Sequence, residues 1–355
     1  MAKKTSEPKT KNFNDVVEKI NRKYKDNPLI SLTGRDKVVM PHIPTGIYSL
    51  DKRVLGIGGL ARGRIYEFFG AEGGGKTTLL YSIISSAQKL FPNEACVLLD
   101  SEFGTDPVWL AKNDVDIDKL IFHQPNSGEE ALSLAEDLIK EGCCSIVGID
   151  SVANLVPQAE LDGDMGEAHV GRQGRMMAQA LRKLIGLVSK HGVVLIFINQ
   201  IRDVIGMAMP GMGPRTTTPG GRALKFAASV RLKIARTKTI KVEGEALKNA
   251  VNIKSEKNKL FAPYREIDIE LNYDFGFDKI GNIISECVWA GIIQKAGSWY
   301  SYKGDKLGQG QESCIPLVQG DLPGFITLLD KHYTNIQSTS NISTKDTDPS
   351  ELSEL

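Results

Sequence analysis

The chain has no apolar run long enough to cross a bilayer. Its longest, VVLIFI at residues 193–198, falls far short of the ~20 apolar residues that a spanning helix needs. The first stretch, MAKKTSEPKTK, also lacks the apolar segment of a secretory signal, so the expected location is the cytoplasm and no membrane partner is expected. Cysteine is scarce: Cys96, Cys143, Cys144, Cys287 and Cys314 are odd in number and show no C-x-x-C spacing. That pattern suggests neither a disulfide framework nor a zinc site, and buried free thiols are the expectation. Net charge is nearly absent too, 44 Lys and Arg against 43 Asp and Glu giving +1. Nothing in the overall balance pushes the chain toward nucleic acid, so any polyanion binding must come from local patches. No internal repeat is visible.

What remains is the composition of a globular protein. With 355 residues, 41% of them hydrophobic and 25% charged, the chain can bury one large core plus smaller attachments. Short apolar runs, RIYEFF (64–69), ACVLL (95–99), SIVGI (145–149) and VVLIFI, alternate with helical patterns such as EEALSLAEDLIKEG, whose Ala131, Leu134, Ala135, Leu138 and Ile139 share one face. Strands alternating with helices imply an α/β fold, a mostly parallel sheet flanked by helices on both faces. Ahead of this core, FNDVVEKINRKY (13–24) reads as one amphipathic helix followed by a linker. From about residue 275 the pattern changes to a small C-terminal α/β lobe carrying the aromatic stretch GSWYSYKG, and the Ser/Thr-rich end, with Asp346, Asp348, Glu351 and Glu354, reads as a disordered acidic tail.

The most explicit chemistry lies in GAEGGGKTT. Gly70, Gly75, Lys76 and Thr77 fit G-x-x-x-x-G-K-[ST] between a strand and a helical pattern, so Gly70, Ala71, Glu72, Gly73, Gly74, Gly75, Lys76, Thr77 and Thr78 form a loop for phosphates. Its glycines let backbone N–H groups face the anion, Lys76 reaches the outer phosphates of ATP, and the Thr77 hydroxyl is a ligand for Mg²⁺. Asp150, ending SIVGI, suits the metal carboxylate, although an Asp in that place is also a common helix cap. Glu102 follows ACVLL and so lies at the same carboxyl edge, where ligands of open α/β sheets bind. Chemistry alone leaves it either a surface carboxylate or the base that polarises the attacking water. Asn199 and Gln200 finish the next strand, placed to sense a phosphate by hydrogen bonds.

Two further segments have no regular pattern. GMAMPGMGPRTTTPGG (206–221) has five glycines and three prolines, which exclude helix and strand, yet carries Met207, Met209 and Met212. Loops of this length inside a compact domain usually carry function. ELDGDMGEAHVGRQGR precedes a helix that sets Arg175 and Arg182 seven residues apart on one face. Exposed arginines in such an arrangement either face solvent or track a phosphate backbone.

Taken together, GAEGGGKTT, LLDSEFGTDP, IVGIDS, RMMAQALRKL, LIFINQIR, GGRALKFAASVRL, KSEKNKLFAPY and KAGSWYSYKGDKLGQG stand in the order, and at about the spacings, of the RecA family of recombinases. PTGIYSLDKRVLGIGGLARGRIYE, just ahead of the phosphate loop, fits the same pattern, and the resemblance covers roughly residues 35–315. It resembles the bacterial and phage branch, in which a single short helix precedes the core. The resemblance implies an ATP-dependent recombinase that forms helical filaments on single-stranded DNA and exchanges strands with a homologous duplex in DNA repair, with ATP and Mg²⁺ as cofactors. Other proteins on this core, ring helicases and regulatory ATPases, are the alternatives. Single-strand-binding and loader proteins are implied as partners, and the location becomes the cytoplasm and nucleoid, or a host's if the chain is phage-encoded.

By motif position, Glu102 resembles the hydrolytic glutamate and Gln200 the γ-phosphate sensor. Asp106, Trp109 and Tyr273 match positions at the adenine, Trp109 being otherwise a core aromatic. Lys257 and Lys259 resemble lysines that reach the neighbouring subunit's ATP, and Lys225 and Phe226 match contacts across that interface. Arg175, Arg182, Arg202, Met207, Met209, Gly220 and Gly221 fall in or beside the two DNA loops. The second loop departs from the family pattern in its length, in Pro219 ahead of the paired glycines, and in methionines where an aromatic is common. The implied division is an N-terminal polymerisation helix and linker (1–34), a RecA-like ATPase core (35–274), a small C-terminal domain (275–334) and the tail (335–355).

Overall fold

The computed structural model describes residues 13–23, 41–164, 171–203, 216–242 and 245–342. Met207, Met209 and Met212, the rest of 204–215, residues 165–170 and the end of the tail (343–355) lie outside the described residues. Residues up to Met40 form a unit of their own. In it α1 (Phe13–Lys23) carries Phe13, Val16, Val17 and Ile20 at helical spacing, and Arg22 and Lys23 in the last turn complement the helix dipole.

The larger unit starts at Pro41. A ribbon of β1 (His42–Ile43) and β2 (Leu60–Ala61) leads into β3 (Arg64–Gly70), α2 (Lys76–Leu90), β4 (Ala95–Asp100), α3 (Pro107–Lys112), β5 (Leu120–His123), α4 (Gly128–Lys140) and β6 (Cys144–Asp150). Then come α5 (Gln158–Leu161), α6 (Arg172–His191) and β7 (Val194–Gln200). A second ribbon, β8 (Arg202–Asp203) with β9 (Thr216–Thr217), precedes α7 (Gly221–Ala227). Finally β10 (Val230–Val242), β11 (Glu245–Asn258), β12 (Glu266–Asn272) and β13 (Gly276–Phe277) complete a nine-stranded sheet in the order β13-β12-β11-β10-β3-β7-β6-β4-β5. From β10 to β5 neighbouring strands are parallel, and from β10 to β13 antiparallel.

The short apolar runs are central strands buried on both sides, which is why they read as continuous rather than alternating. Tyr66, Phe68, Ile196 and Ile198 point to one face and pack with Leu79, Leu80, Ile83 and Ile84 of α2. Leu195 and Phe197 point to the other, against Ala131 and Leu132 of α4 and Met177, Leu181 and Leu184 of α6. Each such side chain contributes about 1.5–3 kcal/mol on full burial, so these faces fix the strand order. A third cluster, around Ile284, Cys287, Ile293, Val318 and Phe325, forms the core of the C-terminal lobe, with its own three-stranded sheet. The lobe's helices are α8 (Lys279–Trp289), α9 (Ile315–Gly320) and α10 (Leu322–Ile342). The lobe is tied to the core by polar side chains: Arg53 Nη1 meets Glu286 Oε1 at 3.1 Å, and the Tyr48 hydroxyl donates to Asp330 at 2.8 Å. α10 runs on past residue 335, into the Ser/Thr-rich segment, because adding residues to a formed helix costs little even at modest propensity.

Four cysteines are buried free thiols, while Cys143 is exposed. Among the described residues no helix is long and apolar enough to cross a membrane.

Register does the work of assembling the site. Gly70 pairs with Gln200 and Asp100 with Asp150, so the ends of four strands meet along one carboxyl edge. At Gly70 a Cβ would stand 1.9 Å from the Ile234 carbonyl oxygen, so the loop can leave β3 only through glycine.

Asp51, in the helical turn Leu50–Leu55, is 6% exposed and both its carboxylate oxygens accept from the Thr45 N–H, at 3.0 and 3.2 Å. Burial outweighs those hydrogen bonds and pushes its pKa from 3.8 up to about 8. The native state therefore holds a proton that the unfolded chain releases, and this group's contribution falls as pH rises from about 4 to about 8. Denaturation midpoints of Asp51→Asn should accordingly decline less than wild type between pH 6 and pH 8, as urea titrations at the two pH values would read.

Candidate functional site

Glu72 to Thr78, Glu102, Trp109, Asp150, Gln200, Leu271 and Tyr273 line a cleft of about 330 Å³ at the carboxyl edge, a volume suited to a small-molecule ligand. The loop turns into α2 at Gly75, whose φ of 92° is left-handed, and Lys76, Thr77 and Thr78 of the first turn of α2 line the cleft. The Lys76 ammonium donates to the carbonyls of Gly70 (3.2 Å) and Ala71 (2.8 Å). Burial holds its pKa below the usual lysine value, against the pull of Asp150, Glu102 and Glu72. Neutral carbonyls are modest partners for a desolvated ammonium, and a phosphate is a better one.

Beside it the Thr77 hydroxyl donates to Asp150 Oδ2 at 2.6 Å. Asp150 Oδ1 is buried and without a hydrogen-bond partner. Desolvation, reinforced by the nearby Glu102 and Asp100 carboxylates, pushes the Asp150 pKa up to about 7. An unpartnered carboxylate oxygen beside a hydroxyl, in a neighbourhood crowded with negative charge, fits a hard divalent cation. No group of three or more His, Cys, Asp or Glu among the described residues could hold a metal alone. This donor set therefore suits Mg²⁺, which is commonly held by one or two protein oxygens together with phosphates and water.

Glu102 is placed by Asp100, whose Oδ1 accepts from the Glu102 N–H at 3.0 Å and whose Oδ2 accepts from the Thr105 N–H at 3.1 Å. Glu102 Oε1 accepts from the Gln200 amide at 2.8 Å and from the Ser151 hydroxyl. Glu102 is thus an exposed carboxylate on the lining of the cleft. Ser151 had no signal of its own beyond following Asp150, and its part shows only once β4 and β6 lie side by side.

The remaining residues fall into two further groups. Trp109 and Tyr273 both line the cleft, whereas Asp106 does not, its carboxylate capping α3 through the Val108 N–H at 2.9 Å. Lys257, Lys259, Lys225 and Phe226 are outside the cleft lining. Lys257 Nζ donates to the carbonyls of Lys225 (2.7 Å) and Phe226 (3.1 Å) at the end of α7, where a cation is favoured by the helix dipole. Burial, and then the charges of Lys259 and Arg231, lower its pKa. Phe226 is 72% exposed, an uncovered aromatic next to this cation pair.

Arg175, Arg182 and Arg202 are exposed. Gly220 is buried, and its N–H donates to Gln173 Oε1 at 3.3 Å, so in this structure that group serves the fold rather than an anion. Gly221 opens α7 with a φ of 74°.

The chain is similar to known proteins over most of its length. The family model described as RecA N-terminal domain matches residues 11–278, and that of the RecA C-terminal domain residues 281–319. Protein RecA of Chloroherpeton thalassium is 44% identical over 335 residues, covering 94% of this chain and 91% of the relative. Protein RecA of Thermus aquaticus is 43% identical over 88% of this chain and 91% of its own length, and that of Heliobacterium modesticaldum 47% identical over 78% of each.

The geometry at Thr77 and Asp150 generates a direct expectation. Asp150→Asn should bind a fluorescent adenine nucleotide in EDTA at least as well as wild type, because a negative charge near the phosphates is gone. It should gain far less when Mg²⁺ is added. Paired titrations with and without Mg²⁺ check both signs.

Proposed function

The chain belongs to the RecA family of recombinases, and on that footing we propose that it couples DNA-dependent hydrolysis of ATP to strand exchange between a single strand and a homologous duplex. The observation that carries this reading is the Glu102 carboxylate, held at the mouth of a phosphate loop by Gln200 and Ser151. A base at that place has no use in a protein that only binds nucleotide.

The phosphates of ATP lie on the loop N–H groups, and Lys76 exchanges the carbonyls of Gly70 and Ala71 for phosphate oxygens. Thr77 and Asp150 would hold Mg²⁺, which would supply charge neutralisation on the phosphates. The Gln200 amide turns from Glu102 to the γ-phosphate. Glu102, relieved of one donor, then accepts the proton of the water that attacks phosphorus, and ADP and phosphate result. Trp109 and Tyr273 offer aromatic faces to the adenine, with Asp106 nearby as a polar partner.

Lys257, Lys259, Lys225 and Phe226 act on the neighbouring subunit of a helical filament. Their absence from the lining of their own cleft, and the exposure of Phe226, support action in trans. Arg175, Arg182 and Arg202, with the loop residues Met207, Met209, Gly220 and Gly221, make the DNA site, and Gly220 must exchange its bond to Gln173 to join it. Residues 1–34 serve polymerisation, 35–274 form the ATPase core and 275–334 a C-terminal domain. The chain works in the cytoplasm on the nucleoid, with single-strand-binding and loader proteins as its partners.

Electron microscopy of the protein with ATP and single-stranded DNA tests this reading. Helical filaments are expected, and closed rings would instead indicate a helicase. Glu102→Gln should still bind ATP and assemble while turnover falls by about 10²–10⁴-fold. Turnover close to wild type would remove Glu102 from its role. Single-strand affinity should drop steeply with salt, by about 0.7 log unit per neutralised phosphate for each decade of concentration, and a flat response would count against the arginines.

A further inference from the structure

We propose that Gln173 is a positioning residue that joins the nucleotide end of the sheet to the stem of the second loop. The proposal rests on the reading above, that residues 204–215 meet DNA. Gln173 stands in the first turn of α6, directly after residues 165–170 and Gly171. Its Nε2 donates to the carbonyl of Val152 at 2.7 Å and to that of Leu155 at 3.2 Å, while its Oε1 accepts from the Gly220 N–H at 3.3 Å. One planar amide therefore uses both of its ends, on two segments distant in sequence.

Each of those segments leads somewhere. Val152 follows Ser151, which donates to Glu102, and Asp150, which accepts from Thr77. Gly220 follows Pro219, whose carbonyl accepts from Asn199 Nδ2 at 3.1 Å, and Asn199 Oδ1 in turn accepts from the Gln200 N–H at 3.0 Å. The stem at Pro219–Gly220 is thus gripped on consecutive residues by two amides, that of Asn199 near the end of β7 and that of Gln173, which is bonded to the segment following β6. Asn199 is itself pinned by the buried Glu67, at 3.0 Å.

There is little slack between these parts. A Cβ on Gly220 would stand 2.8 Å from Val152 Cγ1, and one on Gly221 would stand 3.5 Å from Gly174 Cα. Segments packed this closely, side chain on backbone at Gly220 and backbone on backbone at Gly221, move together, since a displaced one meets its neighbour at once. A shift of the Asp150–Val152 segment on nucleotide binding is therefore handed through Gln173 to the second loop, and by linkage a pull from DNA returns along the same bridge. A glutamine that merely capped α6 would need neither the carbonyls of Val152 and Leu155 nor the N–H of Gly220.

Gln173→Met keeps length and volume and removes both ends of the bridge. Gln173→Glu keeps the acceptor for Gly220 but sets a carboxylate oxygen against the two carbonyls. Oligo-dT affinity of the full chain, measured by anisotropy with ADP and with a non-hydrolysable ATP analogue, gives the ratio that the bridge should govern. Both variants are expected to shrink that ratio by about tenfold, within the usual range of coupling between sites. Nucleotide affinity without DNA and the thermal midpoint should stay near wild type. If Gln173→Met lowers the midpoint, the ratio is read for Gln173→Glu below its own transition. A ratio unchanged in either folded variant, while wild type shows one, overturns the bridge and leaves the recombinase reading intact. A wild-type ratio of one overturns both.

Discussion

Oε1 of Glu102 accepts from the Gln200 amide and the Ser151 hydroxyl, groups carried by the end of β7 and by the residue that follows β6. That oxygen is where three segments of the chain converge, and most of what surrounds it exists to bring them there. Parallel register sets Asp100 beside Asp150, and two apolar faces hold the strands in that register. Asp100 then spends its oxygens on the Glu102 and Thr105 N–H groups, which sets the backbone from which the exposed Glu102 lines the cleft. The same Gln200 that binds Glu102 sits on Asn199, which holds the stem of the second loop.

The electrostatics of this edge are unbalanced. Asp100, Glu102 and Asp150 crowd one end of the sheet, Asp150 keeps a buried oxygen without a partner, and the buried Lys76 beside them is held by carbonyls. Such an arrangement is costly in isolation and becomes favourable with a metal–nucleotide complex, whose cation and anion answer the two unmet needs together. Strain of this kind is what makes ligand binding able to move the groups around it.

Much of this was legible in the sequence, because the legible parts are local. Apolar runs pointed to the strands, and strand–loop–helix order pointed to a glycine-dependent turn, where Gly75 is left-handed and Gly70 fits tightly against Ile234. The register that joins Gly70 to Gln200 followed only in outline, from both being strand ends. Contacts between distant segments left no trace in local pattern. Gln173 and Ser151 carry no motif of their own, and the bond from Gly220 to Gln173 spans 47 positions of sequence. Lys257 meets the end of α7 only because β11 carries it there. The cap formed by Asp106 was in principle visible, as Asp ahead of Pro107 is a helix-start signal.

The central claim is that Gln200 divides its amide between Glu102 and the γ-phosphate. A cryo-electron microscopy structure of the chain on single-stranded DNA with Mg²⁺ and a non-hydrolysable ATP analogue measures this directly. The Gln200 Nε2 to Glu102 Oε1 contact, 2.8 Å here, should be broken, with the amide on the γ-phosphate and Glu102 facing the place of the attacking water. The same contact intact in the nucleotide-bound filament would contradict the account.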